Sequence, residues 1–416
     1  MLVVFVQRPD NAGEPLAVLP GDLAQNAAAL VAVTASGPFL PLGESIDTEP
    51  ALRDRLARAL APPRVARYRI ARPWLLLGLL PIAALLELER QLASAGVSGI
   101  AGRLVGDLLI GAFCALEIAR PLPRHPRACA LALASIGARY AYMIAASCGH
   151  TLPLFWIGLT GALAGAIAML AWMPTPHQVA RELRDRLSLP PSPSPSPSPS
   201  PSPSPTPFLA LAAAAALPLA LLGARRAGLG TWGTAAVFVA LGGSLPLLFR
   251  GRFRLAPPKP TSALRTADGA FFGFATALSL ARMLHYATNG SAEVARCVSP
   301  SFYDRWLAPF ADARAEAART GGDNRLALAA MVVLVVPFVE ERLYRDVLQR
   351  ALRARMAAPR AIGATSVLFG LAHLGVYRTA AIQTVLLGVG FGAAYEEAGL
   401  LAALLAHLFY NASQLF

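Results

Sequence analysis

Charge is what this chain has least of. Of 416 residues only 15% are charged while 55% are apolar, and mean hydropathy is +0.51. A soluble domain carries charge on about a quarter of its residues, so the balance excludes an ordinary soluble protein and a disordered one alike. Lysine is almost missing: Lys259 is the sole example, and arginine supplies the rest of a net charge of +13. These arginines sit in short clusters beside apolar runs, the pattern of cytoplasmic loops between membrane spans, and no nucleic-acid partner is expected. Only four cysteines occur, Cys114, Cys129, Cys148 and Cys297, with no CxxC among them, so neither a disulfide framework nor a cysteine metal site is implied. The stretch from Met1 to Pro9 has no basic region ahead of a long apolar run, which excludes a cleaved signal peptide.

What remains is a series of apolar runs near the bilayer-spanning length of roughly 20 residues. Four fall at about 73–88, 99–119, 128–148 and 153–173, and seven at about 208–223, 231–249, 267–285, 325–340, 361–377, 379–395 and 398–416. The expected fold is an all-α, polytopic integral membrane helical bundle of about 11 transmembrane helices, four then seven. Arginine clusters at Arg120–Arg127, Arg181–Arg186, Arg250–Arg254 and Arg342–Arg360 alternate with cation-poor turns. The positive-inside rule then places the N-terminus in the cytoplasm of a multi-pass protein of the inner (plasma) membrane. Arg225 and Arg226 fall on the nominally outer side and are the weakest point of that topology.

Five regions follow. Residues 1–50 read as a small cytoplasmic segment with an apolar strand-like run at Leu2–Val6 and turn residues at Pro9–Gly13. Residues 51–72 carry seven arginines among Leu and Ala, as a basic juxtamembrane helix lying on anionic lipid would. A four-helix membrane module spans 73–189. The repeat PPSPSPSPSPSPSPSPTP at 190–207 is a polyproline-type spacer, and the seven-span module occupies 208–416, with an outer loop at 286–324.

An ionisable group inside a span costs several kcal/mol, so such groups are functional candidates. Three patterns stand out in the second module: Glu340, Glu341 and Arg345 as EExxxR, Phe369 and His373 as FxxxH, and His407 and Asn411 as HxxxN. On an α-helix Glu341 and Arg345 share a face and can pair, whereas Glu340 points about 100° away. Each pattern has a plain alternative: an interfacial charge cluster, a packed histidine, or His and Asn as interhelical glue. Their conjunction, in order and on separate spans, favours chemistry. Asp107 and Glu117 of the first module lie ten residues apart on different faces of one span and imply no shared site.

With these motifs the module resembles the CPBP family, the CAAX proteases and bacteriocin-processing enzymes, whose core helices carry EExxxR, FxxxH and HxxxN. The resemblance extends over 208–416. It implies an intramembrane endopeptidase that hydrolyses a peptide bond in a membrane-associated protein or peptide, as in CAAX or C-terminal sorting-signal processing. Catalytic positions carried over are Glu340, Glu341, Arg345, His373, His407 and Asn411. Chemically, Glu340 is the candidate base, the Glu341–Arg345 pair holds the helix end, His373 orients water or the substrate carbonyl, and His407 with Asn411 donates to the oxyanion. Glu340, His373 and His407 are also a legal zinc set. The absence of HExxH favours a reaction that requires no cofactor. Two other classes compete: a non-catalytic immunity or scaffold protein, and a proton-coupled carrier using the same groups. A rhomboid-like serine site at Gly96-Val97-Ser98-Gly99 lacks a facing histidine, and no GxGD motif exists for an aspartyl protease.

Overall fold

The structure is a computed structural model. It describes residues 2–8, 11–19, 63–94, 100–120, 123–147, 151–173, 262–302, 331–377 and 381–415, with isolated positions between 212 and 244. The Pro-Ser repeat, most of the expected spans 208–223 and 231–249, the loop 303–324 and Ser98 lie outside the described residues.

Two strands, β1 (Leu2–Arg8) and β2 (Asn11–Leu19), pair antiparallel with Val3 opposite Val18, so the strand-like start is half of a hairpin. The helices that follow are α1 (Pro63–Leu77), α2 (Leu80–Ser94), α3 (Ile100–Ala119), α4 (Pro126–Ser147), α5 (Thr151–Trp172) and the 36-residue α6 (Ala263–Val298). A helix of mixed pitch, α7, runs from 331 to 353: π-helical at Met331–Val335, α-helical at Val336–Glu341, π-helical at Arg342–Gln349 and α-helical again to Arg353. The last three are α8 (Ala358–Tyr377), α9 (Ala381–Ala398) and α10 (Leu400–Leu415).

Helix therefore dominates as expected, with three departures. The run 73–88 is not one rod: it breaks at Gly78, where Gly78 N and Leu79 N close the last turn of α1 on Trp74 O and Leu76 O, and Pro81 fits the first turn of α2. The helix at 267–285 continues to Val298, through residues expected in a loop. Among the described residues no helix is long and apolar enough to cross a membrane, so the count of eleven spans finds no support there. In α3 the reason is plain, since Arg103, Asp107 and Glu117 interrupt its apolar run.

The chain divides into two compact units: Met1–Leu85 with Gly111–Ala130 and Ala164–Ser196, and Leu86–Ile110 with Leu131–Leu163 and Pro197–Phe416. Within the first, the buried Tyr68 hydroxyl donates to Ile118 O at 2.7 Å, and Cys114 and Cys129 are buried side by side as free thiols.

The second unit is organised by close helix approach. Gly269, Gly273 and Ala277 of α6 repeat every four residues and face Ala398, Ala394 and Gly390 of α9, a small-residue seam that lets two backbones nearly touch. A Cβ on Gly390 would lie 2.6 Å from Ala277 N and 2.7 Å from its Cα, contact that only backbone movement can relieve. Gly390→Val is expected to destabilise the purified protein by about 1–3 kcal/mol, the range for overpacking, read as a lowered thermal midpoint. An unchanged midpoint would mean the seam is looser than described. Gly399 ends α9 in the left-handed region at φ 82°, its N–H closing on Tyr395 O at 2.8 Å, and turns the chain directly into α10. A core of Val339, Leu343, Tyr344, Val347, Leu348 and Ala351 from α7 packs with Phe369 of α8. Together these contacts fix α7, α8, α9 and α10 around one interior.

Candidate active site

Glu340 and Glu341 close the α-helical segment of α7, and the π-helical turn begins at the next residue. Such widened turns recur at functional sites because they re-aim consecutive side chains. Here both glutamates enter the interior: Glu340 is 6% and Glu341 0% exposed. They serve different partners.

Glu341 is a bridge. Its Oε2 accepts from Arg345 Nε at 3.0 Å, and its Oε1 accepts from His407 Nδ1 of α10 at 2.9 Å. The Glu341–Arg345 pair expected from the spacing is present, and the same carboxylate also holds an imidazole 66 residues away. The guanidinium of Arg345 is fully buried, with its Cζ 5.3 Å from the centroid of the Phe369 ring. A fully buried cation tied to Glu341 and resting on a ring face is held by that acid and that ring together.

Glu340 faces two imidazoles. His373 Nε2 of α8 lies 3.4 Å from Oε1, and His407 Nε2 lies 3.9 Å from Oε2. The opposite nitrogens settle the rings. His373 Nδ1 is 2.7 Å from Phe369 O, and a carbonyl can only accept, so Nδ1 carries the proton. His407 Nδ1 likewise donates to Glu341. Both Nε2 atoms are thereby directed at one carboxylate from two further helices. Phe369, 2% exposed, explains the motif that contains it: its carbonyl orients His373 while its ring packs on Tyr344, Arg345 and His407.

Asn411 has a contact that its spacing does not show. Its Nδ2 donates to Val332 O at 2.9 Å, so one of its two amide protons braces the first turn of α7. Asp107 and Glu117 have separate partners as their spacing implies: Asp107 meets Arg139 and Arg282, and Glu117 meets Arg120 and accepts from His125 N. Among the described residues no group of three or more His, Cys, Asp or Glu is arranged to hold a metal ion.

One site residue carries no sequence signal. Phe391 of α9 is fully buried and stacks on His407 with centroids 4.3 Å apart and planes 16° from parallel. An aromatic inside an apolar run reads as core, and only the stacking partner reveals otherwise.

Residues 322–413, under a quarter of the chain, match the family described as type II CAAX prenyl endopeptidase Rce1-like. The matched stretch is narrower than the 208–416 over which the resemblance was expected, but it contains all six candidate residues. No curated protein and no solved structure matches the chain. It is over 322–413 that the chain is similar to the CAAX prenyl endopeptidases of the CPBP family, the likeness its three motifs imply.

Proposed function

We propose that the chain is an intramembrane endopeptidase that cleaves a membrane-associated protein or peptide through water activated by Glu340. The observation that carries this reading is the single buried carboxylate faced by imidazole Nε2 atoms from two other helices. In the proposed cycle Glu340 takes a proton from a water that His373 orients, and the resulting hydroxide adds to the scissile carbonyl carbon. The oxyanion meets Nε2–H of His407, which carries protons on both ring nitrogens in this step, and the second amide proton of Asn411. Collapse breaks the C–N bond, and Glu340 hands its proton to the departing amine.

The setting supports a lipid environment. The interior holds Glu340, Glu341, Arg345, Gln349 and His407, while Phe338, Val367, Leu371, Ile382 and Leu401 turn outward, each about half exposed. Apolar outside and ionic inside is the arrangement of a bundle solvated by acyl chains. The proposed location is the inner membrane, multi-pass with the N-terminus cytoplasmic, and the spans that complete it are proposed from the sequence. The family match supports the proposed substrate class, a C-terminal signal on a membrane-associated protein or peptide.

A fluorogenic C-terminal peptide, prenylated or not, incubated with the full chain in liposomes tests this. Wild type is expected to cleave it and His407→Ala to be slower by about 10²–10³-fold, the loss typical of one oxyanion donor. Equal cleavage by both, or altered uptake of protons with no cleavage, would favour a carrier. The reaction is proposed to need no metal: zinc in purified protein is expected well below one per chain, and near-stoichiometric zinc lost in His373→Ala would overturn that.

A further inference from the structure

The stretches of α2, α3 and α4 that belong to the second unit carry buried charges outside the site. Glu89 of α2, Asp107 of α3 and Arg139 of α4 are at most 3% exposed. Arg139 pairs with both Glu89 and Asp107, and Asp107 pairs again with Arg282 of α6, a residue 175 positions away. Two acids and two guanidiniums from four helices thus close into a neutral buried cluster. The backbone makes room for it: a Cβ on Gly106 would lie 2.8 Å from Arg282 Nη2. One turn farther along α6, Tyr286 joins Ala138 and Leu159 in a buried cluster with Tyr142 and Met283 alongside. The same α6 is locked by its small-residue seam to α9, and its Phe274 meets Phe409 of α10 edge to ring at 6.4 Å.

We propose that α2, α3 and α4 form a docking module for the carboxy-terminal half of this same chain, and that Glu89, Asp107, Arg139 and Arg282 are the ionic lock that sets its register on α6. Removing one member strands a charge in the interior, so a shifted register is penalised far more than a lost surface pair would be. Because α6 carries α9 and α10, the lock makes Arg282 and Asp107 positioning residues for Phe391 and His407. That last step rests on the proposed peptidase reading; the docking itself does not.

A protease site inserted in the repeat 190–207 allows the folded full chain to be cut after purification in detergent. The two halves of wild type are expected to co-elute after cutting. Arg282→Gln is expected to lower the co-eluting fraction at least about tenfold, and Arg282→Lys, which keeps the cation, to restore most of it. Wild-type halves that part on cutting, or Arg282→Gln halves that stay together as well as wild type, overturn the lock. If uncut Arg282→Gln is not monodisperse, Asp107→Asn and the Asp107→Asn/Arg282→Gln double variant decide. Coupled residues predict a double loss no greater than the worse single, and independent, multiplying losses refute it. Peptide cleavage on the uncut chain is read in parallel, so a lock that holds without any proteolysis separates the two claims.

Discussion

Glu340→Gln is expected to lower kcat by about 10²–10⁴-fold, the share that positioned acid–base catalysis supplies, while leaving the fold intact. The amide is isosteric and can still approach His373 Nε2 and His407 Nε2, 3.4 and 3.9 Å from the native carboxylate, but it cannot accept the proton of water. The ion-pair partner of Arg345 is Glu341, which the change leaves in place, so the buried guanidinium keeps its acid. Thermal unfolding is therefore expected within about 1 kcal/mol of wild type. A variant that is inactive only because it fails to fold would contradict this assignment.

Glu341→Gln behaves differently, and the contrast separates the two neighbouring acids. It removes the negative charge shared by Arg345 Nε and His407 Nδ1 and leaves one oxygen where the two donors use two. Stranding a fully buried arginine is expected to cost about 3–5 kcal/mol, a loss visible as a collapse of the thermal midpoint. The amide can also present its N–H to Nδ1, which leaves the single ring proton of His407 on Nε2 and removes the carboxylate that holds the ring in place. Turnover is expected to fall by about 10²–10³-fold, as for the loss of one oxyanion donor. Glu340→Gln should be stable and inactive, Glu341→Gln unstable and inactive. Matching stabilities for the two would show that Glu341 does not bridge.

The motifs were legible because ionisable residues are scarce in the carboxy-terminal half: EExxxR, FxxxH and HxxxN stand out against apolar runs, and the structure brings five of their residues into one interior. Spacing alone did not reveal which acid serves which histidine. An ideal α-helix suggests that Glu340 diverges from the Glu341–Arg345 face, but the two acids meet the two nitrogens of the same His407 ring, and Glu340 meets His373 as well. The contacts of Asn411 and Phe391 were hidden for a related reason. An amide's partner, here Val332 O, and a ring's stacking face depend on helices distant in sequence. The same holds for Arg139 and Arg282, which hydropathy counts merely as blemishes in an apolar run. The helix break at Gly78 was masked by apolar residues on both sides, and the long α6 because its polar end reads as loop.

Terminal proteomics on membranes from cells carrying wild type or Glu340→Gln tests most directly whether Glu340 drives hydrolysis. A defined set of membrane-associated proteins should keep extra carboxy-terminal residues in the variant and lose them when wild type is restored. Identical termini in both strains, with the variant present at wild-type level, would contradict the peptidase account.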